Sequence, residues 1–478
     1  MTPRRIVPTI IAALLALRGV SAAGGLFYTQ QANVSTPIPG WYDIAAKNDV
    51  RAGGKFNGRL FADFPTSARA AIAADTAGSG DFVAVFAAKF QGLAPNTGIF
   101  LYDYATGHII DIANEGDPFD VAGDGFYGPF AGQNPSVAIE GLYAAVSYRS
   151  KAVGAGAPPL NQDTKVEMAY YLLGSDLPPI GKQWRAGEGD PSPIAGTVYG
   201  DFPSSLETSS APAFISAQNC AGVAFVTKLV NPPTGGTVFG DGSNDTALVI
   251  GADCLGYPKL AVQAGEAGCA SHFGGADYAK FTSKQHLALA TDDHHGSGFA
   301  LGFRAKAAFG ASSTADTGIE IAYPGVSYCH TEAVIQEGQP TSGIAGGTFG
   351  DFPEDVSLAL SNPSDYLYFS SKVTGVLDTP SGIFAGDGYS GGGNNAFVLV
   401  RSGQPDTSAG LGLLSLPTNP QLTVSGGSIG WLFVGKVKNL ASGVFGEDQN
   451  GSFASVPIMW SAENPRVDGR GNITARMP

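Results

Sequence analysis

The sequence predicts an all-β protein, a seven-bladed β-propeller made of four-stranded antiparallel blades. Glycine and proline supply 67 and 31 of the 478 residues and separate short runs of Val, Ala, Phe and Tyr, which is typical of many strands joined by turns. After residue 25 there is no amphipathic helical run longer than about two turns. An apolar run that ends in Gly, an acid or amide, and Pro recurs along the chain and indicates a structural repeat.

The clearest repeat lies between Gly338-Gln339-Pro340 and Gly403-Gln404-Pro405. It holds two alternating apolar runs, a Gly-Ile-Phe run and a fourth apolar run, which together predict one four-stranded blade. The same mark, strong or weak, divides the chain into six complete units, at residues 53–115, 116–188, 189–264, 265–337, 338–402 and 403–462.

The two ends of the chain supply the seventh unit. Residues 25–28 and 41–46 resemble third and fourth strands, and residues 465–475 resemble the missing first hairpin. Residues 463–478 plus 24–52 therefore form a split unit that closes the ring, so residues 24–478 are expected to be one domain. Closure removes the exposed sheet edges of an open array, whereas the alternative, an open solenoid, would need caps.

Residues 1–23 are interpreted as a secretory signal peptide. Arg4 and Arg5 precede an apolar core at residues 6–17, and Val20-Ser21-Ala22 fits a small-x-small cleavage site. The core is too short to span a bilayer, although a membrane anchor is the alternative. We expect a secreted protein, extracellular or periplasmic, with no membrane span.

The charge of the chain argues against nucleic-acid binding. The net charge is −14, and loss of Arg4, Arg5 and Arg18 with the signal peptide makes it −17. A surface this acidic repels phosphate backbones but is compatible with cations, basic partners or neutral glycans.

Disulfides are expected because the cysteines are even in number and the compartment is oxidising. A zinc site is not suggested, because the sequence has no CxxC pair. The candidates, whose three alternative pairings stay open, are Cys220, Cys254, Cys269 and Cys329.

The repeats resemble secreted tandem-repeat proteins with the signature NxxGxxAF. The nearest copy is Asn219-Cys220-Ala221-Gly222-Val223-Ala224-Phe225, which is one residue short between Gly and Ala. The resemblance covers nearly all of the mature chain in degenerate form. It implies a secreted, repeat-built β protein and brings no catalytic residues.

Aspartates in a repeated aromatic-x-Asp-Phe-Pro loop are candidate ligand-binding residues. Asp63, Asp201 and Asp351 precede the innermost strands, so we expect them at the mouth of the central funnel. There they could bind a cation or act as acid/base groups. Alternatively, each Asp caps its own turn while Phe and Pro wedge neighbouring blades together.

A basic residue near the end of each second strand forms a second candidate set. In a chain with only 14% charged residues, this regularity indicates either inter-blade ion pairs or a ring that contacts a ligand. The ligand-binding candidates are Lys89, Lys228, Lys372 and Lys436, and the same position holds Arg149, Arg304 and, in the split unit, Arg476.

Two further clusters suggest metal binding, although a plain turn explains each. Asp241, Ser243 and Asp245 offer oxygens at alternate positions, as a Ca²⁺ loop does, but Asp and Gly are also what tight turns demand. In Asp292-Asp293-His294-His295 the adjacent histidines would point apart on a strand. Calcium is thus the one cofactor that the sequence suggests.

These features favour a secreted, non-catalytic binding or scaffold module that takes a glycan or an extracellular protein at the funnel face. Sialidase-type Asp boxes and HExxH helices are missing from the sequence. One alternative is a carbohydrate-active hydrolase or lyase, which a pair of carboxylates roughly 5 to 10 Å apart would favour. Another is an extracellular structural protein that assembles edge to edge through an apolar patch.

Overall fold

The computed structural model confirms the all-β prediction, since the residues that it describes form antiparallel strands and no helix. None of these residues belongs to a helix that is long and apolar enough to cross a membrane. The predicted signal peptide and the C-terminal hairpin lie outside the described residues. The described ranges are 25–29, 41–46, 50–62, 71–74, 82–103, 106–119, 125–130, 133, 135–140, 142–157, 163–175, 182–200, 202, 210–215, 220–231, 236–237, 245–252, 258–265, 277–282, 285–292, 298–308, 315–324, 331–360, 366–377, 381–387, 396–402, 414–415, 424–425, 430–437 and 442–447.

The strands form an N-terminal pair and six larger sheets, which we number 1 to 6. The N-terminal pair is β1 (Gly25–Thr29) and β2 (Trp41–Ala46). Sheet 1 holds β3 (Ala71–Ala74), β4 (Phe82–Lys89), β5 (Thr97–Asp103) and β6 (His108–Asn114). Sheet 2 holds β7 (Phe126–Tyr127), β8 (Ser136–Glu140), β9 (Tyr143–Val153), β10 (Thr164–Leu172) and β11 (Lys182–Gly187). Sheet 3 holds β12 (Val198–Tyr199), β13 (Ser210–Ile215), β14 (Cys220–Asn231), β15 (Gly236–Thr237), β16 (Thr246–Ala252) and β17 (Lys259–Gln263).

The remaining sheets repeat this plan. Sheet 4 holds β18 (Leu287–Asp292), β19 (Gly298–Lys306), β20 (Thr317–Ala322) and β21 (Thr331–Gln336). Sheet 5 holds β22 (Thr348–Phe349), β23 (Leu358–Leu360), β24 (Leu367–Thr374), β25 (Ser381–Gly386) and β26 (Phe397–Arg401). Sheet 6 holds β27 (Leu414–Ser415), β28 (Val424–Ser425), β29 (Gly430–Val437) and β30 (Ser442–Glu447).

The arrangement is propeller-like. In sheets 1 to 5, four antiparallel strands follow one another in chain order, and the first of them contacts the first strand of the next sheet: β3 lies beside β8, β8 beside β13, β13 beside β18, and β18 beside β23. Strand β28 of sheet 6 also approaches β3. The first strands therefore line a common centre.

The hydrophobic core lies between successive sheets. Leu248 of sheet 3, for example, belongs to the same buried cluster as Phe299 and Leu301 of sheet 4. The sheets approach so closely here that a Cβ added at Gly222 would lie 2.4 Å from the Phe299 ring. Gly222 is therefore required by packing, and any larger residue would force the two sheets apart.

The repeated Gly-acid/amide-Pro mark forms a tight loop between sheets. Gly116, Gly189 and Gly338 have φ angles of 77°, 86° and 81°, a region that favours glycine. In the last of these, the Gly338 N–H donates to the carbonyl of Phe349 at 2.8 Å, and the Phe349 N–H donates back to Gln339 at 2.9 Å. Tyr127 and Tyr199 make the same pair of bonds with the other two marks.

A second repeated contact joins each sheet to the next, and we call it the inter-sheet latch. It is a hydrogen bond from the backbone N–H of a buried Phe to the hydroxyl of a Thr that begins the third main strand of the preceding sheet. The four described latches are Phe130 to Thr97 at 2.9 Å, Phe202 to Thr164 at 3.2 Å, Phe281 to Thr246 at 2.9 Å, and Phe352 to Thr317 at 3.1 Å.

The latch phenylalanines also anchor an aromatic core. In sheet 3, Phe202 contacts Tyr199 and Phe225 with ring centroids 5.8 Å apart in each case. Sheets 2, 4 and 5 hold equivalent trios around Phe130, Phe281 and Phe352. Phe202 and Phe352, the phenylalanines of two Phe-Pro loops that the sequence suggests as wedges, are both fully buried.

The aromatic residue three positions before each latch phenylalanine is buried in one of three ways. In sheets 2 and 4 the aromatic is a tyrosine, and its hydroxyl donates to a fully buried glutamate: Tyr127 to Glu167 at 2.9 Å and Tyr278 to Glu320 at 2.5 Å. In sheet 5 both positions are phenylalanine, and the rings of Phe349 and Phe384 lie 4.8 Å apart.

Sheet 3 is the exception because Tyr199 is matched with an apolar residue. The equivalent of the glutamate is Val249, and the buried Tyr199 hydroxyl has no hydrogen-bond partner among the described residues. Burial, followed by the charge of Asp190, raises the pKa of Tyr199 above its ordinary value. A polar group that is buried without a partner destabilises the fold.

We therefore expect Tyr199→Phe to raise the free energy of unfolding by about 1 kcal/mol, because it removes an unsatisfied hydroxyl and keeps the ring. Urea denaturation of residues 24–478 measures this. Tyr127→Phe and Tyr278→Phe are matched controls and should destabilise, since each removes the donor to a buried carboxyl group. A Tyr199→Phe protein that unfolds at lower urea would contradict the assignment.

Candidate functional site

Of the three loop aspartates, the structure describes Asp351 and leaves Asp63 and Asp201 outside the described residues. The Asp351 side chain is 69% exposed, at the junction of sheets 4 and 5. It lies beside Asp316 and Glu337, neither of which the sequence analysis singled out as a site residue.

The three carboxyl groups form a compact group that we call the acidic cluster. One carboxylate oxygen of each residue lies within 4.8 Å of one from each of the others. Asp316 directly precedes β20, Glu337 directly follows β21, and Asp351 lies in the loop after β22. The cluster therefore needs two strands of sheet 4 and the latch loop of sheet 5.

Thr317 connects two members of the acidic cluster. Its hydroxyl lies 3.0 Å from Oε2 of Glu337 and 3.2 Å from Oδ1 of Asp351, and it accepts the latch hydrogen bond from Phe352. A hydroxyl has one hydrogen to donate, so it cannot serve both carboxylates. Both contacts are satisfied when one carboxyl group is protonated and donates to the hydroxyl.

Burial and neighbouring charge favour that protonated state at Glu337. Partial burial raises the pKa of Glu337, and the charges of Asp351 and Asp316 raise it further. Hydrogen bonds donated to the carboxylate by the Thr317 hydroxyl and the Asp316 backbone oppose the shift without cancelling it. A carboxyl group with a raised pKa next to an exposed carboxylate is a combination that acid/base enzymes use.

Two cations flank the acidic cluster. Arg304 Nη2 lies 4.0 Å from Asp351 Oδ1, and Lys306 Nζ lies 3.6 Å from Asp316 Oδ2. Burial lowers the pKa of Arg304, while the neighbouring carboxylates oppose that change. Three carboxylate oxygens at this spacing could attract a hard cation, but Arg304 and Lys306 already neutralise two of them, so we assign no metal here.

The predicted calcium loop is only partly described. Asp241 and Ser243 lie outside the described residues, and Asp245 is a buried residue whose backbone carbonyl accepts from the Leu229 N–H at 2.6 Å. The histidines of the Asp-His cluster also lie outside the described residues, while Asp292 ends β18 and is buried.

The structure corrects the register of the basic series. The residues that face the third-strand Thr or Ser are Lys89, Lys151, Lys228, Lys306, Lys372 and Lys436. Lys151 and Lys306 are thus the equivalents of the other lysines, whereas Arg149 and Arg304 lie two residues earlier and are buried. An aromatic-x-x-Lys pattern, such as Phe225-Val226-Thr227-Lys228, carries this register in the sequence.

The lysines differ in their contacts. Lys151 pairs with Asp163 at 3.2 Å and Lys306 with Asp316, in each case within one sheet rather than between blades. Lys89, Lys228 and Lys372 are exposed and have no ion-pair partner among the described residues. The side chain of Lys436 is not described. Of the disulfide candidates, Cys220 begins β14, and the other three lie outside the described residues.

Comparisons with known proteins find no family model and no curated protein that matches. Among solved structures, the chain is similar to an α-L-arabinofuranosidase of Fusarium graminearum at 10% identity and a TM-score of 0.39, over 79% of this chain and 92% of that one. A sialidase of Trypanosoma rangeli matches at 9% identity and a TM-score of 0.39, over 85% and 58%. A levansucrase of B. megaterium matches at 10% identity and a TM-score of 0.35, over 80% and 93%.

The expectation of a non-catalytic binding or scaffold module is contradicted by this comparison. Carbohydrate-active enzymes predominate among the neighbours, including a family-43 glycoside hydrolase. With TM-scores below 0.5, the likeness assigns no family and transfers no residue role to this chain. The role of each residue must come from the geometry of the acidic cluster itself.

The raised pKa of Glu337 gives a pH-dependent effect on stability. Its proton is bound more tightly in the folded than in the unfolded chain, so its contribution is full in acid and is lost as the pH rises through the folded pKa. We therefore expect Glu337→Gln to gain stability relative to the parent as the pH rises from about 4, the ordinary pKa of a glutamate, to the raised pKa of Glu337. Melting temperatures measured across that range test this.

Glu115→Gln is the matched control. Glu115 Oε2 accepts hydrogen bonds from the Asn96 and Thr97 N–H groups and from the Thr97 hydroxyl, at 2.9, 3.0 and 2.8 Å. Removing that charge weakens three hydrogen bonds, so this variant should be less stable than the parent at neutral pH. A Glu337→Gln protein that behaves in the same way would contradict the assignment.

Proposed function

We propose that the protein is a carbohydrate-active enzyme that hydrolyses glycosidic bonds at the acidic cluster. The observation that carries the proposal is the pairing of Glu337, half-buried with a raised pKa, with the exposed carboxylate of Asp351. The predominance of carbohydrate-active enzymes among the structural neighbours agrees with the proposal but does not carry it.

The environments of the two residues divide their roles. Glu337, whose pKa is raised chiefly by burial, is the general acid that protonates the departing glycosidic oxygen. Asp351 is exposed, lies beside Arg304 and is the nucleophile. The carboxylate oxygens approach within 4.8 Å, which is nearer to the spacing of about 5 Å in retaining glycosidases than to about 6.5–9.5 Å in inverting ones.

Asp316 and Thr317 support these roles. Asp316 places a second negative charge near Glu337 and so favours its protonated form. Thr317 orients both carboxyl groups through one hydroxyl. We place the reaction outside the cell, on glycans, because residues 1–23 read as a signal peptide. The kinship with NxxGxxAF repeat proteins stays a prediction.

Hydrolysis of a panel of aryl glycosides, including α-L-arabinofuranosides, sialosides and fructosides, tests the proposal. The parent should release the aryl group from at least one member, and Glu337→Gln and Asp351→Asn should each lose about 10²- to 10⁴-fold in rate. Azide should partly restore the rate of Asp351→Gly by replacing the nucleophile. Glu115→Gln is the control that should keep activity. An inactive parent, or variants as active as the parent, would refute the proposal.

We also propose that the sheets close into a seven-bladed ring through the split unit. The approach of β28 to β3 supports closure, but it would equally suit a ring of the six larger sheets. If residues 463–478 complete a seventh blade, ending the chain at residue 462 should lower the melting temperature, because the N-terminal pair loses its partner strands. An unchanged melting temperature would favour six blades.

A further inference from the structure

The three carboxyl groups of the acidic cluster differ in their distance from the neighbouring cations. Asp351 faces Arg304 at 4.0 Å, and Asp316 faces Lys306 at 3.6 Å. Glu337 has no ion-pair partner among the described residues, although its Oε2 lies 3.0 Å from the Thr317 hydroxyl. Two members therefore have a cation within 4.0 Å, whereas Glu337 interacts with Arg304 more weakly than Asp351 does.

The hydrogen bonds around Thr317 form a chain that can run in either direction. In one direction, protonated Glu337 donates to the Thr317 hydroxyl, which donates to ionised Asp351. In the other, protonated Asp351 donates to Thr317, which donates to ionised Glu337. The Phe352 N–H occupies the second lone pair of the hydroxyl oxygen in both cases. The Asp316 backbone hydrogen bond to Glu337 favours the second direction, in which Glu337 is ionised.

Arg304 favours the first direction, because it lies beside Asp351, and its own position is fixed. Its Nε donates to the carbonyl of Phe352 at 2.7 Å, and the residue is 8% exposed. Phe352 is in turn held by the latch to Thr317. The guanidinium therefore cannot swing towards Glu337, unlike the ammonium of Lys306, whose side chain is 46% exposed.

We propose that Arg304 is a positioning residue that sets the direction of this proton chain, keeping the negative charge on Asp351 and the proton on Glu337. The acidic groups that face the guanidinium are Asp351, Glu354, Asp316 and Glu337, and Asp351 has the strongest interaction among them. The catalytic role of Arg304 rests on the proposed function, because that proposal makes Glu337 the acid and Asp351 the nucleophile.

Carboxyl-carbon NMR of protein labelled at Glu Cδ and Asp Cγ tests this without any substrate. Glu337→Gln and Asp351→Asn serve to assign the two signals. In the parent, Glu337 should titrate at a higher pH than Asp351. Arg304→Lys keeps the charge and should keep this order. Arg304→Gln keeps a donor for the Phe352 carbonyl but loses the charge, and it should narrow the gap by about one pH unit, a tenfold change in relative proton affinity.

Lys306→Gln is a matched control at an exposed position, so it stays informative if Arg304→Gln does not fold. It should move the titration of Asp316 and leave the order of Glu337 and Asp351 unchanged. An Arg304→Gln protein with an unchanged gap would overturn the inference, and so would a Lys306→Gln protein in which Asp351 moves as far as Asp316. Failure of glycoside hydrolysis with the expected titrations would refute the proposed function alone.

Discussion

The fold depends on the inter-sheet latch. In this contact a threonine hydroxyl of one sheet accepts a hydrogen bond from the backbone N–H of a buried phenylalanine in a loop of the next sheet. Successive sheets touch through close-packed apolar side chains, as at Gly222, and the latch adds a directional contact to that packing. One hydrogen bond between a strand end and a buried loop fixes the offset, and four described copies fix it in the same way. Because an unpaired buried N–H is costly, the latch also penalises alternative offsets.

The candidate site is a modified latch. A glutamate within hydrogen-bonding distance of the latch threonine hydroxyl is also found in sheets 1 and 2, as Glu115 and Glu188. At the junction of sheets 4 and 5 the loop residue Asp351 comes within hydrogen-bonding distance of the same hydroxyl. The Thr317 latch therefore has two carboxyl groups, those of Glu337 and Asp351, which compete for the one hydrogen of the hydroxyl. Carboxyl groups that repel one another are thus brought together without any additional strand or helix, in a chain with only 14% charged residues.

Several residues that position this site were readable from the sequence, and others were not. The mark glycines and the Phe-Pro loops were recognisable because tight turns and wedged aromatics need particular residue types. Asp316 was not, since it lies at a strand end where a polar residue is ordinary. The lysine register was misjudged at Arg149 and Arg304, because a basic residue two positions away shares the same strand face.

The sequence by itself determined the all-β class and the positions of the turns, since strand alternation and glycine conformation are local properties of the chain. Tertiary structure decided which carboxyl groups meet. Asp316, Glu337 and Asp351 are separated along the chain and converge only when two sheets dock at the offset set by the Thr317 latch. Their proton affinities depend on burial and on Arg304, which are properties of the assembled interface and are absent from any single repeat.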